Sequence, residues 1–217
     1  MTETSPIDSK PKPLLRGHFH QAMFFVAIGA CLPLILRCEN AAQRIAVTVY
    51  SVCAIAMFGI SSLYHRVTWT PPLRSLWKKL DHAGIYLMIA GTFTPISVMG
   101  LPMESRVKIL ITIWSVAFFG ILQSIFFVNL PKYISAILYV VMGYLILPYL
   151  SELKNTLGPQ NIGILLAGGI VYSLGAISYG LKRPVFNPQI FSYHEVFHLF
   201  VNAGAILHFI VISSLVH

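Results

Sequence analysis

Five side chains, at three places in the sequence, have the types and spacing that metal-assisted chemistry asks for. Residues 61–65 read SSLYH, so Ser61 and His65 fall four apart and share one face of a helix. Asp81 stands near the start of LDHAGIYLMIAGTFTP, and His194 and His198 repeat the four-residue spacing within YHEVFHLF. Three imidazoles and a carboxylate suit a zinc ion with three His ligands and a fourth position open to water or substrate. Two ligands four apart on one helix, with a third from another helix, make a rigid three-point seat. On this reading His65, His194 and His198 hold one zinc ion. Asp81 either binds the metal or holds its water through a hydrogen bond, and takes the proton when that water attacks. Ser61, one turn deeper than His65, braces Asp81 or a ligand. The same donors accept iron or manganese, and the His194/His198 pair taken alone reads equally well as a hydrogen-bonded pair.

Residues so far apart in sequence meet only if long elements carry them to one level. The chain has 217 residues, 56% hydrophobic and 10% charged, with a mean hydropathy of +0.74, too apolar for a soluble domain of this size. Seven runs are long enough to cross about 30 Å of hydrocarbon, at 19–36, 41–64, 82–103, 107–128, 133–150, 161–181 and 190–216. The expected fold is therefore an all-α membrane protein, a seven-transmembrane helix bundle over residues 19–217. Residues 1–18 are polar and proline-rich and read as a disordered cytoplasmic tail. They lack the plan of a cleavable signal peptide, so the first span serves as an uncleaved signal.

Basic residues set the orientation. Lys10, Lys12, Arg16, Arg66, Arg74, Lys78, Lys79, Lys132, Lys182 and Arg183 fall on the N-terminal side, against Arg37, Arg44, Arg106, Lys108 and Lys154 on the other. The N-terminus is thus expected in the cytoplasm and the C-terminus outside. Span two ends, and spans three and seven begin, on the cytoplasmic side, which brings His65, Asp81, His194 and His198 into one leaflet. The net charge of +8 reads as this topology signal and as attraction to anionic headgroups. Dispersed over loops, it argues against a nucleic-acid partner.

The remaining polar residues carry less. His82 points a quarter-turn from Asp81 and reads as a spectator. His208 lies ten residues, about 15 Å, beyond His198, too deep for the same ion, and reads as a bundle-facing hydrogen bonder. His18 and His20 lie nearer the proposed level, and His217 is the terminus. Glu195 sits on another helix face from its two neighbouring histidines and reads as a headgroup-level partner for Lys or Arg. Cys31, Cys38 and Cys53 show neither disulfide nor metal spacing and read as small core residues. The glycines of GILLAGG and Gly175 and Gly180 serve close helix contact, and Pro33, Pro95 and Pro148 are kink sites.

Ser61-x3-His65, LDHAGIYLMIAGTFTP with Asp81, and His194-x3-His198, in that order on those spans, resemble the hemolysin III family. This is the bacterial branch of the progestin and adiponectin receptor group, within a superfamily that includes alkaline ceramidases. The likeness covers all but about the first 13 residues. It implies seven helices with a cytoplasmic N-terminus, a zinc ion on His65, His194 and His198, Asp81 on the metal-bound water, Ser61 nearby, and a place in a bacterial inner membrane. The implied activity is hydrolysis of a lipid amide, and the family name implies cell lysis. Many relatives carry Glu-x2-Asn-x3-His before or within span one, whereas this chain reads LLRGHFHQAMFF; His20 alone stands at the end of that motif.

The first function expected is a zinc-dependent intramembrane hydrolase, ceramidase-like, acting on the amide or ester of a membrane lipid. A membrane-lytic or pore-forming protein is a second reading, although no continuous polar stripe lines a pore. A receptor-like sensor with structural zinc is a third. A transporter would call for an inverted repeat that the spans do not show.

Overall fold

The computed structural model describes residues 12–216; the N-terminal part of the expected tail, residues 1–11, and His217 lie outside the described residues. Apart from one isolated bridge between Asn187 and Phe191, all regular structure among the described residues is helical. The helices are α1 (His18–Leu36), α2 (Ala41–Arg66), α3 (Pro71–Gly100), α4 (Met103–Phe126), α5 (Lys132–Gly143), a 3-10 segment (Tyr144–Tyr149), α6 (Leu150–Leu181) and α7 (Tyr193–Ser214).

Among the described residues, six helical stretches are long and apolar enough to cross a membrane. The sequence predicts seven, and the difference lies in one place. The predicted spans 133–150 and 161–181 belong to one helical run of 50 residues, Lys132–Leu181. Straight, it would extend about 75 Å, more than twice the hydrocarbon thickness. It doubles back instead. Gly158, with φ 72° and ψ 167°, breaks the helix just before Pro159. The two limbs then pack antiparallel, with Tyr144 hydrogen-bonded to Ser173 at 3.0 Å and Gly180 lying against Tyr133. That backbone region is nearly closed to residues with a Cβ, yet open space surrounds the position where a Cβ would go. Gly158→Ala is therefore expected to cost about 1–3 kcal/mol through backbone strain alone, read as a lowered melting temperature of the detergent-solubilised protein.

A second difference concerns α3, which begins at Pro71 rather than near residue 82. Pro71 and Pro72 occupy its first two positions, where a missing N–H costs nothing. Its first turns carry Arg74, Lys78 and Lys79, so a hydropathy reading passes over them. Asp81 consequently lies about three turns inside the helix rather than at its head.

Inside, Val47, Ile113, Leu153, Val211 and Ile212 are fully enclosed. Outside, Phe25, Leu32, Val52, Ile111, Phe119 and Ile170 are exposed, an apolar girdle that lipid solvates better than water. Ser51, Thr92, Thr94 and Ser124 return their hydroxyls to carbonyls four residues back, which satisfies them without water. The closest packing of α6 on α7 uses small residues: a Cβ on Gly175 would stand 2.8 Å from that of Phe200, and one on Gly204 would meet the Tyr172 ring. Cys31, Cys38 and Cys53 are buried free thiols, as expected. Pro33 and Pro95 lie within α1 and α3, and Pro148 within the 3-10 segment.

Residues 12–17 are ordered against the loop that precedes α7, Leu14 and Leu15 donating to the carbonyls of Gln189 and Ile190. Gly17, at φ 80°, makes the turn into α1 so closely over the end of α2 that a Cβ there would stand 2.8 Å from that of His65.

Candidate metal centre

The end of α2, the third turn of α3 and the start of α7 meet at one end of the bundle. His65 occupies the last turn of α2, with Ser61 one turn before it, and both are buried. His194 and His198 occupy the first two turns of α7, at 7% and 1% exposure. The Nε2 atoms of His65 and His194 are 3.1 Å apart, and one ligand atom from each of His65, His194 and His198 lies within 4.8 Å of the others. Asp81 Oδ2 lies 3.6 Å from His65 Nε2, beside that triangle, and Ser61 lies near the same carboxylate. All five residues singled out in the sequence therefore come together.

The set fits a small divalent cation. A tetrahedral ion with bonds of 2.0–2.1 Å to nitrogen separates its ligands by about 3.3 Å, close to the 3.1 Å between the His65 and His194 nitrogens. The donor set is three neutral nitrogens, the kind that takes zinc or iron. Among the described residues the buried Nδ1 atoms of His194 and His198 have no hydrogen-bond partner.

Two further features were only weakly legible. His20, on the first turn of α1, stacks on His198 with ring centroids 3.7 Å apart and planes 8° from parallel. Both its nitrogens are buried, without partners among the described residues. Glu195 does pair with an arginine, but its carboxylate is enclosed: Glu195 is fully buried, salt-bridged to the partly exposed Arg16, and accepts the Ser192 backbone N–H at 2.8 Å. The Ser192-x-x-Glu195 spacing is that of a capping box, a signal present in the sequence. His82 turns back to the Lys78 carbonyl at 2.7 Å, and His208 reaches the Leu165 carbonyl at 3.1 Å. The sequence reading assigns both such side roles. His18 is half-buried, its Nδ1 without a partner.

An apolar cavity of about 140 Å³ leads away from the cluster between α3, α5, α6 and α7. Asp81, His194, His198 and His20 line one end, and Gly169, Tyr172 and His208 the other, about 15 Å further along α7.

Apolar helices around a buried three-histidine cluster define a polytopic membrane protein with a potential metal centre. Comparison with known proteins makes this specific. Residues 9–209 match the model of the family described as Haemolysin-III related, and the chain belongs to that family. It is 35% identical over 187 residues to Hemolysin-3 of Bacillus cereus, covering 85% of this chain and 82% of that one. It is 25% identical over 224 residues to the human Monocyte to macrophage differentiation factor, covering 98% and 90%. It is 26% identical over 199 residues to the Adiponectin receptor protein of Drosophila melanogaster, covering 80% and 43%.

Proposed function

We propose that this protein is a zinc-dependent hydrolase of a lipid amide or ester, embedded in a bacterial inner membrane. The observation that carries the reading is the convergence of His65, His194 and His198, with Asp81 beside them, at the polar mouth of an apolar cavity. The 50-residue run doubling back at Gly158 supplies two crossings, for seven in all, and the distribution of Lys and Arg favours a cytoplasmic N-terminus. Residues 1–11, with 12–18, then lie on the cytoplasmic side, and residues 19–217 form the membrane domain.

Bound on the three imidazoles, zinc would polarise a carbonyl and lower the pKa of water held at the open position. The protein's own residues do the rest. Ile85, Met88, Ile89 and Phe93 of α3, facing Phe197 and Val201 of α7, give an acyl chain an apolar bed and keep bulk water from the reacting end. The Asp81 carboxylate accepts a proton from the attacking water and returns it to the leaving group. The Ser61 hydroxyl, one turn before His65 on α2, braces Asp81, so little motion is needed as the proton moves.

Elemental analysis of the purified protein is expected to find about one zinc per chain. A membrane lipid amide should be hydrolysed by that preparation, lose the activity on chelation and regain it with zinc. Full hydrolysis by metal-free protein would sink this reading.

A further inference from the structure

Above the three histidines a second, polar hollow of about 260 Å³ opens at the same end of the bundle. Asp81, His82, Tyr179 and His194 line both spaces, so the candidate centre stands at their junction. The hollow is strongly basic. Lys12, Arg16, Arg74, Lys78 and Lys132 line it, and among the described residues Asp81, beside His65, is its one carboxylate. Arg16 is committed to Glu195.

The three lysines meet only neutral oxygens among the described residues. Lys78 Nζ donates to Asn129 Oδ1 at 2.8 Å, Lys132 Nζ to the Tyr193 hydroxyl at 3.0 Å, and Lys12 Nζ to the Val67 carbonyl at 3.5 Å. Lys132 is further held over the rings of Tyr179 and Tyr193, 4.6 and 5.0 Å from their centroids. Cations gathered this way repel one another. Burial, then Arg74 and Arg16, holds the Lys12 ammonium below its usual pKa. Such an arrangement gains free energy when an anion enters, and a concave site lined by one sign of charge concentrates that anion.

We propose that this vestibule binds a phosphate group, carried either by a lipid whose chain occupies the apolar cavity or by a soluble phosphate ester. A carboxylate brings one charge and two oxygens. A phosphate monoester brings nearly two charges and three terminal oxygens, which match three ammonium groups. The inference rests on the reading of the apolar cavity as the seat of a lipid tail. It narrows the substrate class to lipids with an anionic phosphate headgroup, the scissile bond lying between headgroup and tail.

The test is native mass spectrometry of the full chain in detergent, counting adducts of dioleoyl phosphatidic acid and dioleoyl phosphatidylcholine, with inorganic phosphate as a soluble competitor. Phosphatidic acid is expected to bind at least tenfold more tightly. Lys78→Gln and Lys132→Gln should each weaken it about tenfold, while Lys182→Asn, outside the vestibule, should leave it unchanged and report intact folding. Competition by inorganic phosphate would identify the free anion as a ligand; its failure would identify a lipid-borne phosphate. Equal binding of the two lipids, or a preference that survives the Lys78→Gln/Lys132→Gln double variant, overturns the proposal. Adducts form without turnover, so a protein that binds phosphatidic acid but hydrolyses nothing keeps this inference and loses the hydrolase. Hydrolysis without phosphate preference does the reverse.

Discussion

Asp81→Asn is expected to lower kcat for lipid hydrolysis by a factor on the order of 10²–10⁴, with zinc content unchanged. Asparagine keeps the size of the side chain, so the packing of α3 on α2 survives. It cannot accept a proton. Because Asp81 stands beside the imidazole triangle rather than among the mutually close ligand atoms, its loss leaves the seat of the ion intact. His194→Ala should behave differently: two imidazoles remain, and zinc content and activity fall together. Equal loss of zinc in Asp81→Asn and His194→Ala would assign Asp81 to the metal as a ligand and remove it as the base. Zinc analysis and initial rates on the same preparations decide between them.

Arg16→Ala is expected to be the most destabilising single change outside the histidine cluster. It leaves Glu195, fully buried, without its cation, and removing one partner of a buried pair costs about 3 kcal/mol or more. For a chain of this length that corresponds to a fall of roughly 5–10 °C in melting temperature, measurable by thermal unfolding in detergent. The conservative test is the Arg16→Met/Glu195→Gln double variant, which removes both charges and should recover most of the loss. A double variant no better than Arg16→Ala would mean that the arginine's packing, not its charge, matters. Glu195 is one residue from His194, so the same variants also show how far this pair steadies the start of α7.

The helical, membrane-embedded character of the chain was legible because lipid leaves few choices: every backbone polar group must be satisfied within the segment, so apolar runs of span length are helices. The histidine cluster was legible because its pieces are local. Spacings of four put Ser61 with His65 and His194 with His198 on shared faces, and alternation of the spans put them at one end. The start of α3 was not legible, since its first turns are basic and project beyond the apolar region. Nor was the continuity of Lys132–Leu181: a helix that bends at Gly158 and one interrupted by a loop there have the same hydropathy. The stack of His20 on His198 depends on the packing of α1 against α7, which no spacing within either helix encodes.

His65 and His194 are 129 residues apart, and the later of them belongs to the last helix. A ribosome that has delivered everything up to Leu181 has therefore made a bundle with one imidazole of the three and with Arg16 still lacking its carboxylate. Packing of α7 brings in the other two imidazoles and neutralises that arginine in one event.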